Sequence, residues 1–111
     1  MRRHPVRYKP EAVDDLQSIY RYVAAASGSN AVAQAYVQRI MARCRRIGDV
    51  PNGGRPRNDL LPGLRTVPFE RAVVITYRVS DMVEILNVFY GGRDFEALYL
   101  GYAIKEENAP E

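Results

Sequence analysis

Apolar residues recur at three- and four-residue steps through the first half of the chain and at two-residue steps through much of the second, so helices are expected first and strands afterwards. From Glu11 the helical run is Val13, Leu16, Ile19, Tyr20 and Val23, with Glu11, Asp14 and Asp15 placing negative charge where a helix dipole favours it. Ser27-Gly28-Ser29-Asn30 stops this helix and caps the next. The second helix, residues 31–47, carries a cleaner stripe of Ala33, Tyr36, Val37, Ile40, Cys44 and Ile47. So short a turn makes the two helices an antiparallel hairpin.

Before the hairpin, Val6-Arg7-Tyr8 reads as a short edge strand closed off by Pro10. After it, residues 48–62 hold Pro51-Asn52-Gly53-Gly54-Arg55-Pro56 and read as a loop without regular structure. Three strands follow at residues 64–67, 72–79 and 83–90, with turns at Glu70-Arg71 and Ser80-Asp81-Met82, forming an antiparallel meander. Residues 94–99 read as a short last helix. The ordered core is expected over about residues 5–100, and residues 101–111, with their acidic end, as a flexible tail. Together these elements predict a single α+β domain of two layers: N-terminal strand, helical hairpin, three-stranded meander and short C-terminal helix.

Strict alternation in the third meander strand gives one row of Val83, Ile85, Asn87 and Phe89 and another of Glu84, Leu86, Val88 and Tyr90. Both rows are apolar at the middle, as is normal for a strand covered on both faces. The hairpin covers one face. The other is left either as a groove for a partner or to be lidded by the C-terminal segment.

Composition narrows the function. The 111 residues contain no apolar run near the roughly 20 needed to cross a bilayer, and no signal core follows the N-terminus, so a cytoplasmic protein that does not engage a membrane is expected. The single cysteine, Cys44, lies on an apolar stripe and reads as a buried thiol. One histidine and one cysteine far apart make no metal site, Gly91-Gly92 makes no phosphate loop, and no cofactor is expected. Charge is uneven: residues 1–60 hold eleven Lys/Arg against five Asp/Glu, residues 61–111 five against eight. Fourteen of the sixteen cations are arginine, which suits carboxylates, phosphates and nucleobases. On charge alone, nucleic acid and acidic protein remain equal candidates.

Motifs along nearly the whole chain, from Tyr8 to Tyr99, carry a resemblance. Ala12, Asp15-Leu16, Ile19 and Tyr22 in the first helix, and Ala33, Tyr36 and Ile40 in the second, are followed by Pro51, Gly54-Arg55-Pro56 and Pro62-Gly63-Leu64-Arg65. Ile75-Thr76-Tyr77-Arg78-Val79 and the stretch from Val83 to Gly91-Gly92-Arg93-Asp94 complete the set. In this order and spacing the chain resembles the RelE/ParE superfamily of bacterial toxins from type II toxin–antitoxin systems, and more closely its ParE branch. It departs from the superfamily at Asn87, where an arginine is frequent, and at Tyr90, where a histidine is frequent.

The resemblance implies a toxin, associated with plasmid stabilization and growth arrest, neutralised by a cognate antitoxin, ParD-like or other, and meeting operator DNA only through that antitoxin. Arg65, Arg71, Arg78, Tyr90 and Arg93 are the candidate partner-binding residues. The ParE branch implies inhibition of DNA gyrase, a binding activity that requires no catalytic set, and this is the favoured reading. The RelE branch implies ribosome-dependent cleavage of mRNA, a metal-independent endoribonuclease, with Arg65, Arg78, Arg93 and Tyr99 as candidate catalytic residues. Bases are scarce for that chemistry: His4, Lys9 and Lys105 lie outside the meander, and Glu70 and Glu84 read as solvated. A third reading is a non-toxic partner of antitoxin and operator DNA.

Overall fold

The computed structural model describes residues 3–107, with side chains through Gly101. Strand β1 (Val6–Tyr8) leads into helix α1 (Pro10–Ser27), which packs on helix α2 (Asn30–Asp49). Pro10 sits in the first turn of α1, where its missing N–H is no loss. Gly28, at φ 70°, closes α1 by donating its N–H to the Ala24 carbonyl at 2.9 Å, and Ser29 Oγ opens α2 by accepting from the Val32 N–H at 3.2 Å. Strands β2 (Arg55–Pro56), β3 (Arg65–Phe69), β4 (Val73–Val79) and β5 (Val83–Tyr90) follow, and then helix α3 (Phe95–Glu107).

The sheet has the order β1-β5-β4-β3-β2, with β1 parallel to β5 and every other pairing antiparallel. The hairpin and the meander are as the periodicity predicts. The segment 48–62 is not: Pro51–Gly53 forms a 3-10 turn and Arg55–Pro56 pairs with Thr66 and Arg65 as an outer strand. Proline in a strand argues against pairing in the interior of a sheet, but at an edge its missing N–H points away from the ladder. What holds this strand in place is long-range and invisible to local pattern. Tyr77, wholly buried in β4, donates its hydroxyl to the Pro51 carbonyl at 2.8 Å and accepts from the Gly54 N–H at 2.9 Å. A Cβ at residue 54 would collide with that hydroxyl, so the position requires glycine.

The largest correction concerns β5. Thr76 faces Asn87 across the ladder, yet Tyr77 faces Ile85, so Leu86 is an extra residue, a β-bulge. The bulge resets the alternation. Val83 and Ile85 face the helical hairpin before it, and Val88 and Tyr90 face the hairpin after it, together with Val73, Ile75 and Tyr77 of β4. Leu86 and Phe89 belong to a second cluster on the opposite face, with Leu60, Leu64 and Tyr99. The strict two-residue rows expected for β5 therefore break at Leu86.

That second cluster also decides what covers the far face: α3 and the loop before β3 lid it. Phe89 rests between the rings of Phe95 and Tyr99, at centroid distances of 5.8 and 6.1 Å. Arg57 joins loop to helix by bonding Asp59 at 2.8 Å and Glu96 at 3.2 Å. Asp94 Oδ1 accepts from the Ala97 N–H at 3.1 Å and so caps α3, which extends well beyond the expected residues 94–99. It occupies part of the stretch expected as a tail; residues 108–111 lie outside the described residues.

Replacing Tyr77 with Phe removes both hydroxyl bonds while preserving the ring. The Gly54 N–H and Pro51 carbonyl are then left without their partner, and a loss of about 1–3 kcal/mol in urea denaturation is the expected outcome. No change in midpoint would show that the 51–56 segment is held by other means.

Candidate functional site

Where α1 crosses the C-terminal end of β5, a cleft of about 350 Å³ is lined by Asp15, Ser18, Tyr22, Tyr90, Gly91 and Arg93. Residues 15, 18 and 22 fall on one face of α1, and Tyr90 and Arg93 arrive from β5 and the glycine turn behind it. Gly91 and Gly92 both adopt φ 75°, a conformation open to glycine, and the Gly91 N–H donates to the Ala72 carbonyl at 2.9 Å. That bond ties the turn bearing Arg93 to the β3–β4 turn bearing Arg71. Arg71 and Glu70 also lie at positive φ, 64° and 47°, without being glycine, a strained arrangement restrained by the ion pair of Arg39 with Glu70 at 3.2 Å. Tyr90 is half-buried, its ring 5.4 Å from Tyr22 and 6.0 Å from Tyr36. Arg93 is exposed at the rim.

Behind this cleft a chain of hydrogen bonds crosses the molecule at the bulge. Asp15 Oδ2 accepts from Asn87 Nδ2 at 3.0 Å and from the Val88 N–H at 2.9 Å. An ionised carboxylate can only accept, which fixes the Asn87 amide with its nitrogen toward α1 and its Oδ1 toward α3. Oδ1 then accepts from the Tyr99 hydroxyl at 2.8 Å, and the Tyr99 oxygen, its own proton committed, accepts from Thr76 Oγ1 at 2.7 Å. Thr76 and Tyr99 are buried at 0% and 3% exposure. Thr76 Oγ1 also lies 3.3 Å from the Asn87 carbonyl, so its one proton is shared between that oxygen and Tyr99.

The sequence-expected site residues therefore do not converge. Tyr99 is a core residue with its hydroxyl bonded on two sides. Arg65 and Arg78 stand on opposite faces of the sheet, because Arg65 is paired with Tyr77 and Arg78 follows it on the alternate row. Arg65 donates to the carbonyls of Asn52 and Gly54 at 3.0 and 2.8 Å, and Arg78 is half-buried, its Nε without a hydrogen-bond partner among the described residues. Arg93 lies beyond Tyr90, which pairs with Val73, four residues and roughly 13 Å along the strand from Tyr77. Of the five partner-binding candidates, Tyr90, Arg93 and Arg71 share one end of the sheet; Arg65 and Arg78 do not join them.

Cys44 is wholly buried, and burial pushes its thiol up to about 11, as expected of an inert core cysteine. Among the described residues no group of His, Cys, Asp and Glu has the arrangement to hold a metal, and no helix is long and apolar enough to cross a membrane.

Residues 6–95 match the family model described as ParE toxin of the type II toxin–antitoxin system parDE. This chain belongs to the ParE toxin family. Toxin ParE3 of Caulobacter vibrioides is 33% identical over 92 residues, covering 83% of this chain and 90% of that protein. A chain of the chromosomal ParDE toxin–antitoxin system from P. aeruginosa superposes with a TM-score of 0.69 at 27% identity, covering 79% of this chain and 96% of the other. The protein is thus the toxin component of a type II toxin–antitoxin system, on the ParE side of the superfamily as the motifs implied.

Sequence reading treated Asn87 as a functional residue lost and Asp15 as a helix-dipole residue. The signal for their joint role was faint: the spacing of Asp15, Ser18 and Tyr22 marks a polar stripe on α1, but nothing local aims it at β5. Converting Tyr99 to Phe should lower stability by about 1–3 kcal/mol, since the Asn87 and Thr76 groups lose a buried partner. Growth arrest on induction should persist in cells that accumulate the folded variant. Abolished toxicity with unchanged stability would instead make the Tyr99 hydroxyl a chemical participant.

Proposed function

We propose that this ParE-family toxin arrests growth by binding and inhibiting DNA gyrase in the cytoplasm, and that a cognate antitoxin neutralises it by covering the cleft at Tyr90 and Arg93. The observation that carries the choice of gyrase over mRNA cleavage is the hydrogen-bond chain through Asn87 and Tyr99. A ribonuclease needs a base near the 2′-hydroxyl, an acid near the leaving oxygen and cations around the phosphate, all within about 3 Å of the reacting atoms. Here the Tyr99 hydroxyl is committed to Asn87 and Thr76, Arg65 to two backbone carbonyls, and Glu70 to Arg39. The accessible polar groups of the cleft, Arg93 foremost, suit recognition of a protein surface, which needs shape and charge but no proton transfer.

Similarity to a chain of a ParDE system supports an antitoxin partner. Arg71 and Arg93, exposed together at one end of the sheet, are the cations best placed to meet acidic antitoxin residues at the rim.

The purified toxin should inhibit gyrase supercoiling and leave a defined mRNA intact on translating ribosomes. Arg93→Ala should weaken gyrase inhibition at least tenfold and weaken antitoxin binding as well, with the urea midpoint of the folded toxin unchanged. Codon-phased mRNA cuts with normal supercoiling would replace this reading with the RelE-like one, and growth without arrest on induction would indicate a non-toxic complex-forming protein.

A further inference from the structure

A second polar surface lies away from the Tyr90–Arg93 cleft, on the flank of α2 that overlooks β3. Arg39, Arg43 and Arg46 follow one another at four- and three-residue steps and form a single stripe beside the buried Ile40 and Ile47. On one side of Arg46 opens a cleft of about 630 Å³ that also takes in Arg3 and Arg45. On the other side is a trough of about 380 Å³ between Arg43 and the Gly53-Gly54 backbone, with Val67 and Tyr77 beneath. Arg65 stands on the neighbouring strand β3, on the hairpin side of the sheet with Tyr77.

Two carboxylates face this array, and each has a cation of its own: Asp49 bonds Arg3 at 2.6 Å and Glu70 bonds Arg39 at 3.2 Å. Among the described residues Arg43, Arg45 and Arg46 make no ion pair, and Arg65 meets only carbonyls. The dipole of α2 accounts for part of this clustering. Its influence is confined to the last turn, so it favours Arg46 but not Arg43 or Arg65. Like charges three residues apart on a helix are mutually destabilising, so the empty array carries a small cost that a polyanion would remove.

We infer that this arginine surface binds the phosphate backbone of duplex DNA. The stripe from Arg39 to Arg46 runs seven residue steps, about 10 Å of helix axis, a straight row of cations that can lie along a phosphate backbone. Tight protein partners are anchored by exposed aromatic or large apolar side chains at the centre of the contact. Here Val67 and Tyr77 are buried beneath the trough, Val50 is the one exposed apolar side chain lining it, and Phe69, lining the larger cleft, is half-buried. The apolar recess of the hairpin, with Tyr8, Val13, Leu16, Val37 and Met41, opens on the other flank of α2. Single-stranded RNA would call for exposed aromatic platforms on which bases stack, and no fully exposed aromatic lines the arginine surface. Backbone contacts of this kind carry affinity and position without reading sequence. The inference does not depend on gyrase being the target, and it gives the toxin a contact with DNA of its own rather than only through the antitoxin.

Fluorescence anisotropy of a labelled random-sequence duplex with the purified, antitoxin-free toxin, over roughly 50–200 mM salt, tests it. The wild type should bind with an affinity that falls steeply with salt. Combined Arg43→Gln and Arg46→Gln should reduce the log–log slope by about 2, at roughly 0.9 per phosphate contact, and weaken binding at least tenfold. Arg21→Gln, on the other flank of the hairpin, should leave both unchanged. Arg45→Gln, exposed at the cleft, provides a second variant should the double one fail to fold, with an expected slope change of about 1. Absent duplex binding at 50 mM salt, an unchanged slope in the folded variants, or more effective competition by polyglutamate or single-stranded RNA than by duplex would each overturn the inference.

Discussion

The single extra residue in β5 governs more of this molecule than any other local feature. Without the bulge at Leu86, strict alternation would put Val88 and Tyr90 on the face opposite Val83 and Ile85, and neither face of the sheet would have a continuous core. With it, the hairpin-facing row runs unbroken from Val83 to Tyr90, and Leu86 and Phe89 become the floor on which α3 rests. The bulge also brings Asn87 and the Val88 N–H within reach of Asp15. Helical hairpin, sheet and C-terminal helix are thereby joined through one line of hydrogen bonds, in surroundings where an unmade bond is costly.

This arrangement divides the polar residues into two populations. Thr76, Asn87 and Tyr99 hold the layers together, and Arg65 and Tyr77 hold the 3-10 turn and outer strand. Arg71, Arg93 and the stripe on α2 instead keep their charge at the surface. A toxin that works by binding needs the second population placed on a rigid frame, and the first population supplies that frame. Glycine is what allows the close approach at residue 54 and the sharp turn at residues 91–92, so the surface loops that display Arg55 and Arg93 are shaped by backbone constraints as much as by side chains.

The elements governed by local periodicity were legible in the sequence. The stripe of Ala33, Ile40, Cys44 and Ile47 defines α2 unaided, and the run from Val73 to Val79 reads correctly as a two-sided strand. The unread features all depend on partners distant in the chain. Pro56 looks like a strand breaker until Tyr77, more than twenty residues away, anchors the loop before it. Asn87 looks like a missing arginine until Asp15 is brought opposite it. Arg65, Arg78, Arg93 and Tyr99 share the chemistry of a phosphate clamp, but one-dimensional spacing could not disclose that the bulge and the strand register send them to different faces and ends. The two apolar rows of the sheet show in the sequence that both faces need a cover, and only packing shows that α3 and the loop before β3 supply the second.

Asn87 and Tyr99 act as one structural unit across the sheet. A double-mutant cycle in urea, with Asn87→Ala, Tyr99→Phe and the combined variant, measures this directly. The account predicts a coupling energy of about 0.5–3 kcal/mol between the two positions. Additivity within about 0.3 kcal/mol would contradict it, for the two side chains would then be independent neighbours rather than links of one chain.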